Sequence, residues 1–512
     1  MTAGACVHLI GAGPGDPALI TLRGRQRLAA ADVVVFGGRR IPDRLLCWAR
    51  ADAERIDVDA GAPGPLDADA VHHLLADRAG RGMAVAHLTP GDPLASGTAA
   101  ETARYLHDRG VRVEVVPGLP PHVAAPGLAG VAIAGAGGAE AVVYLRCGPA
   151  GMNDAPPVDW SRAAPPPVTL VSEGHGAQVA GIGEELLRHG WPPDEPATLV
   201  LHGTLPAQRT MEGSLREVQA AARRVADTAN AVLVVGRNSR RRPPLRWFDE
   251  RPLFGRRILV TRPRAQAAAL VDRLADLGAD PIEAPMIRIL PPADEAPLEA
   301  ACAAASTFDW IVFTSANGVE AFMERLLAGP RDVRTLGPTR LCAVGPATEA
   351  CLRRYGLAVD LLPEEHRAEA VSAALLRDHD VSGARILLPR ADIARATLPD
   401  ELRRAGAEVV DVAAYRTVPV RDADGIDVSR MLRERRIDVV TFTSASTVRS
   451  FVARVGAESL ADRLENVAVA SIGPVTAGAA RRLGIDTAIM PSTYTVPALA
   501  EAIAAHFDSR RP

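Results

Sequence analysis

The sequence predicts an α/β chain whose C-terminal half is a pair of doubly wound, parallel-sheet lobes built by internal duplication. Two observations carry that expectation. First, one stretch occurs twice in the same internal order. DWIVFTSANGVEAFMERL from Asp309 precedes LCAVGPAT ending at Thr348, and DVVTFTSASTVRSFVARV from Asp438 precedes VAVASIGPVT ending at Thr476. Ser315 and Ser444 lie 129 positions apart and Thr348 and Thr476 128 apart, while GRRILVTR from Gly255 matches GARILLPR from Gly383 at 128. A period that long exceeds any solenoid unit, so it reads as a duplicated domain. Second, strand-like and helical patterns alternate through both copies, which implies a parallel sheet covered by helices.

Bulk properties narrow the class. At 512 residues the length prior is three or four domains, and 48% apolar residues can build several cores. A net charge of −3 offers no global basic field for nucleic acid. Cys6, Cys47, Cys147, Cys302, Cys342 and Cys351 form no CxxC and no Cys/His cluster, which favours reduced thiols over disulfides or zinc. No charged leader precedes an apolar core and no apolar run is long enough to span a bilayer. A soluble, cytoplasmic protein without a metal is expected.

In chain order, a strand at 7–10 runs into the turn Gly11-Ala-Gly-Pro-Gly-Asp-Pro17, then a helix at 19–30 and a strand at 31–36. Such a turn aims backbone N–H groups at a nucleotide-like ligand, but Pro14 and Pro17 break the helix start that a dinucleotide fingerprint requires. A second Pro-Gly-Asp-Pro (90–93) follows a strand at 84–88, and two such loops suggest a ligand cleft. A strand at 113–116, a Pro/Ala-rich join (149–167) and a second αβ set with strands at 168–172, 197–201 and 230–236 complete this half. The arginine-rich run 237–246 lacks interleaved aromatics and reads as part of a solvated linker, which Trp247, Phe248 and Phe254 would pin onto a neighbouring domain.

In the second half, a strand at 257–261, a helix at 266–277 and a strand at 280–284 are followed by a strand at 310–313 and a helix at 317–327. Ligands of such sheets sit outside the carboxyl ends of the strands. There the repeat keeps Ser315, Ser444, Thr348 and Thr476. Each alone is an N-cap candidate, whereas four at matching strand ends favour anion binding by hydroxyls and helix N-termini. His366, His379 and His506 are isolated and read as surface residues, and neither a nucleophile elbow, a Walker loop nor a metal-ligand spacing occurs. The chemistry expected is one of positioning and electrostatics.

The motifs GAGPGDPALITLRG, ADVVVFG, LTPGDP, EVVPG, AAPGLAG, DW (159–160), GTLPAQRTMEGSL and NAVLVVG resemble, in order, those of the tetrapyrrole methylases, above all uroporphyrinogen-III C-methyltransferase, over residues 5–238. The resemblance implies two α/β lobes with S-adenosylmethionine between them, held by Gly13, Pro14, Gly15, Asp16, Gly91 and Asp92. The departures are many. Gly37 stands where the family has a proton-handling Asp, and Asp59 where it has a Lys. Pro90-Gly91-Asp92 replaces Gly-Gly-Asp, Gly118-Leu-Pro-Pro121 replaces Gly-Ile-Thr-Ser, Ser172-Glu173-Gly174 replaces Tyr-Met-Gly, and the stretch 134–139 replaces Thr-His-Arg. These losses imply a fold kept without methyl transfer, with S-adenosylmethionine a cofactor only if the domain functions.

The repeated blocks resemble uroporphyrinogen-III synthase over 255–508. That family has two α/β lobes joined by a two-stranded ladder. The resemblance therefore implies a methylase-like domain at 1–238, a linker at 239–254 and a synthase domain at 255–512. Lobe one would be 255–289 plus 420–508, and lobe two 292–415. The implied reaction closes linear hydroxymethylbilane with inversion of its last pyrrole ring and loss of water, without a cofactor. The family's tyrosine falls on Tyr415, as proton donor to the leaving hydroxyl or as an anchor of the ladder. Ser315, Thr348, Ser444, Ser446 and Thr476 would bind substrate carboxylates, and Arg262, Arg390 and Arg416 would pair with them through guanidinium forks. The partners implied are the linear tetrapyrrole and neighbouring enzymes of its pathway, with no nucleic acid and no membrane. Two alternatives stand beside this: a bifunctional enzyme that also methylates uroporphyrinogen III to precorrin-2, and a non-catalytic bilobed ligand sensor.

Overall fold

A computed structural model describes residues 6–38, 41–60, 64–95, 97–135, 141–146, 160, 168–225, 229–240, 245–365, 368–420 and 426–508. Cys147, His366, residues 136–139, the join at 149–159 and 161–167, and the arginine-run residues 241–244 lie outside them. The chain divides into two compact units, Met1–Gly255 with Leu277–Asp280, and Arg256–Asp276 with Pro281–Pro512.

The first unit holds two five-stranded sheets. β1 (Cys6–Gly11), β2 (Val33–Phe36), β3 (Glu54–Asp57), β4 (Ala84–Thr89) and β5 (Arg112–Val116) are all parallel, in the order β3-β2-β4-β1-β5. Every residue of β1 and β2 is buried, as expected where helices cover both faces of a parallel sheet. The second sheet orders β6 (Val142–Arg146), β7 (Thr169–His175), β8 (Pro196–Leu201), β9 (Arg209–Ser214) and β10 (Asn230–Val235) as β6-β7-β10-β8-β9. There β6 and β7 are parallel, and the other pairs are antiparallel.

The first helix differs from expectation. It spans Leu22–Ala29, because Asp16 caps a 3₁₀ turn at Pro17–Leu19 and Thr21 caps the helix proper, accepting from Gly24 N at 3.1 Å. The linker also differs. Phe248 is 2% exposed and meets Phe254 edge-on at 5.6 Å, and Leu253 is fully buried, but Trp247 is 56% exposed and anchors little.

In the second unit come β11 (Arg257–Val260), β12 (Asp280–Glu283), β13 (Ile287–Leu290), β14 (Trp310–Phe313), β15 (Arg340–Ala343), β16 (Arg385–Ala391), β17 (Glu408–Pro419), β18 (Val439–Phe442) and β19 (Ala468–Ser471). One lobe is the sheet β12-β11-β18-β19 and the other the sheet β13-β17-β16-β14-β15. β17 serves twice. Its first half is parallel to β16, and its last residues, Arg416 to Pro419, pair antiparallel with β13 in a two-stranded ladder.

The duplication is visible in detail. Asp309 and Asp438 each accept a backbone N–H at 2.8 Å, from Arg385 and Arg257. Ser315 and Ser444 cap their helices at φ/ψ of −164/154° and −158/157°. The buried pairs Phe313–Phe322 and Phe442–Phe451 meet edge-on at 5.7 and 5.2 Å. Each fully buried phenylalanine contributes about 1.5–3 kcal/mol of hydrophobic stabilisation, so each lobe carries a core of its own. Among the described residues, no helix is long and apolar enough to cross a membrane, and no group of His, Cys, Asp and Glu is placed to hold a metal ion.

Candidate functional site

The second unit contains a cavity of about 730 Å³ beside the ladder, at the starts of the helices Arg264–Asp276 and Ala316–Leu327. Its wall includes Arg264, Gln266, Arg288, Asn317, Glu320 and Tyr415. Tyr415 sits where β17 passes from sheet to ladder, opposite a register shift at Arg390/Ala391. The residue is 7% exposed, and its hydroxyl lies 3.0 Å from Ser315 Oγ, which also accepts the Gly318 N–H at 3.0 Å. Burial pushes the Tyr415 phenol above its ordinary value, against the opposing hydrogen bonds from Ser315 and Asn317. The group therefore stays an O–H donor throughout the neutral range.

A side-chain bridge crosses between the lobes here: Gln266 Nε2 donates to Asn317 Oδ1. Behind it, Arg262 Nη2 donates to Gln266 Oε1 at 3.5 Å. Burial pulls the Arg262 guanidinium below its ordinary value, and no carboxylate pairs with it among the described residues. Arg288 lines the cavity from the ladder and likewise has no carboxylate partner among the described residues. A partly buried cation without a counter-ion is unfavourable unless a ligand supplies one.

The other sequence-expected residues take different roles. Ser444 accepts from Thr447 N at 3.3 Å and lies 2.9 Å from Ser446 Oγ, so the pair serves the helix cap. Thr348 and Thr476 are 3% and 4% exposed, in the first turns of Pro346–Arg354 and Pro474–Arg482. Arg390 corrects an expectation. It is 6% exposed, holds Asp411 through two nitrogens, and donates from Nη1 to Arg395 O at 2.8 Å, which leaves it unavailable to a substrate. Arg416 donates to Pro291 O at 3.0 Å and serves the ladder. Of the expected set, Tyr415 lines the cavity, and Ser315 and Arg262 touch residues that do. Gln266, Arg288 and Asn317 escaped sequence reasoning; the position of Arg288 at the lobe crossing was the one usable signal.

The first unit was expected to cradle S-adenosylmethionine. Its loops instead satisfy one another. Gly13 and Gly91 exchange backbone hydrogen bonds at 3.3 and 2.8 Å. Asp92 accepts from Leu94, Ala95 and Gly118 N–H groups at 2.9–3.0 Å. Asp16 accepts from Ala18 N and donates its own N–H to Thr204. The glycines are required by packing: a Cβ on Gly118 would lie 2.1 Å from Gly91 O, and one on Gly11 2.5 Å from Gly118 Cα. The remaining cleft is about 230 Å³, below the roughly 300 Å³ at which drug-sized ligand pockets begin. Glu173 intrudes on it, accepting from the Tyr144 hydroxyl at 3.2 Å, with His122 Nδ1 also 3.2 Å away. A Cβ on Gly37 would lie 2.9 Å from an Asp59 carboxylate oxygen. Proline at 14, 120 and 121 offers no N–H. These residues do not fit the cofactor.

Comparison with known proteins divides the chain in the same two halves. The family model for uroporphyrinogen-III synthase HemD matches residues 268–501, and that for tetrapyrrole (corrin/porphyrin) methylases matches 6–219. The porphyrin biosynthesis protein HemD of Ruminiclostridium josui is 30% identical over 481 residues, 94% of each chain. The uroporphyrinogen-III synthase of Chlorobaculum parvum is 34% identical over 251 residues, 48% of this chain and 97% of that protein. A solved structure of uroporphyrin-III C-methyl transferase from Thermus thermophilus, complexed with S-adenyl homocysteine, is 31% identical with a TM-score of 0.36, covering 45% of this chain and 91% of that one.

Proposed function

The chain belongs to the HemD family of porphyrin biosynthesis, with a tetrapyrrole-methylase domain fused ahead of the synthase, and from that premise we propose that it is a uroporphyrinogen-III synthase acting on hydroxymethylbilane. We assign 1–238 to the methylase-like domain, 239–254 to the linker and 255–512 to the synthase, working in the cytoplasm beside other enzymes of its pathway.

The reaction is a dehydrating ring closure. Tyr415 gives its phenolic proton to the terminal hydroxyl; the C–O bond breaks, water leaves, and the adjoining pyrrole nitrogen's electron pair forms an azafulvene. The substituted carbon of the last ring then attacks, giving a spiro intermediate that fragments and recloses with that ring inverted. Loss of a ring proton, returned to the Tyr415 phenolate, completes the cycle. Arg262 and Arg288 receive substrate carboxylates, and Ser315 holds the phenol between turnovers. The observation that carries this reading is the buried phenol of Tyr415 at the wall of a large cavity edged by two arginines without carboxylate partners among the described residues.

The synthase uses no cofactor. The methylase-like domain retains its sheets but transfers no methyl group, since its loop donors are engaged with each other and Glu173 occupies the cleft. The test is to feed enzymatically generated hydroxymethylbilane and separate the uroporphyrin isomers after oxidation. An excess of type III supports the proposal; type I alone, the product of spontaneous closure, rejects it and leaves a ligand sensor.

A further inference from the structure

The wall of the cavity holds a hydrogen-bonded series that no step above uses. Arg262 donates to Gln266 Oε1, and the same amide donates through Nε2 to Asn317 Oδ1 on the opposite lobe. The Asn317 amide is in turn a hydrogen-bond partner of the Tyr415 phenol, whose hydroxyl meets Ser315 Oγ at 3.0 Å. An amide that accepts on its oxygen keeps N–H groups to donate, so each donor in the series points from the cation toward the phenol oxygen. Bonds aligned in this way polarise one another. With its oxygen accepting from Asn317, the phenol directs its single hydrogen either to Ser315 or into the cavity.

We propose that Gln266 and Asn317 are positioning residues for Tyr415: they form a relay, complete only when the two lobes are together, that orients the phenol and couples it to a substrate carboxylate bound at Arg262. The inference rests on the proposed synthase function. Both amides sit on the first turns of helices that follow strands β11 and β14, so they are carried by rigid elements, and opening the lobes separates them without disturbing either core. A carboxylate that engages Arg262 competes for the guanidinium that now reaches Gln266, so binding in one lobe alters the hydrogen bonding of the phenol in the other.

The test is a double-mutant comparison on the full chain, with type III formation as the readout. Gln266→Met keeps length and apolar stem but removes both hydrogen bonds; Asn317→Ala removes the second amide. Each is expected to lower kcat ~10-fold with KM within ~2-fold of wild type, as for an interaction made on the way to the transition state. In a Tyr415→Phe background neither is expected to lower kcat further, because groups acting as one unit are not additive. Losses that multiply in the double variants overturn the relay, because a general structural defect behaves that way. An unchanged kcat in Gln266→Met also overturns it, and that half-buried position decides the matter even if Asn317→Ala fails to fold. Wild-type protein yielding only type I overturns the synthase function itself, which is distinct from failure of the relay alone.

Discussion

Replacing Tyr415 with phenylalanine removes one hydroxyl from the cavity wall and leaves the ring in its core. The change in stability follows from the contacts. Ser315 Oγ loses a partner at 3.0 Å but keeps the Gly318 N–H at the same distance, so the loss is about 1 kcal/mol for one neutral hydrogen bond. In a unit of this size that lowers the melting temperature by roughly 2–4 °C. The change in rate is far larger. Without the phenol the leaving group departs as hydroxide, and a positioned proton donor is worth ~10²-fold or more. We expect kcat for type III formation to fall at least ~10²-fold with KM nearly unchanged, and spontaneous type I product to rise accordingly. Time courses with freshly generated hydroxymethylbilane, resolved by isomer, measure this alongside a thermal melt. A folded Tyr415→Phe protein that keeps more than about a third of wild-type kcat refutes the donor role, since general acid catalysis predicts a loss well beyond threefold.

Further expectations test other parts of the account. Arg262→Ala should raise KM ~10- to 100-fold, the value of a charge-assisted hydrogen bond, without lowering the melting temperature, because it deletes a half-buried cation with no carboxylate partner among the described residues. Arg390→Ala should do the reverse: it strands Asp411 and costs about 3 kcal/mol in chemical denaturation, while KM holds. Gly118→Ala should destabilise the first unit by about 1–3 kcal/mol through overpacking against Gly91 O, leaving synthase kcat unchanged. His87 has its Nδ1 buried without a partner, although the residue as a whole is half-buried, and burial pulls its pKa down to about 4. Between pH 6.5 and 4 the unfolded chain binds a proton there that the folded chain refuses. Stability should therefore fall by up to about 3 kcal/mol as pH drops through that window, and His87→Phe should flatten the profile.

Much of the second unit was legible because duplication repeats its chemistry. Asp309 and Asp438, Ser315 and Ser444, and the phenylalanine pairs recur at one offset because each copy solves the same local problem: fixing a strand edge, starting a helix, filling a core. The ladder was legible through the resemblance that placed its crossings at 288–291 and 415–419. The site was harder. Hydroxyls at strand ends satisfy backbone N–H groups before any ligand arrives, so Ser444 reads the same whether it binds or caps. Arg390 and Asp411 sit on adjacent strands 21 positions apart, and Gln266 and Asn317 on different lobes. No sequence period brings those pairs together; only tertiary packing does. In the first unit, the close approach of Gly11, Gly91 and Gly118 explains their glycines by packing, a role that a glycine-rich loop does not advertise.

The measurement that bears most directly on the whole account is a single incubation of the full chain with hydroxymethylbilane and methyl-labelled S-adenosylmethionine, read by isomer separation and mass. The account predicts type III uroporphyrinogen at the mass of the unmethylated product, with no label incorporated. Dimethylated product would contradict the reading of the first unit's cleft, and type I product alone would contradict the synthase.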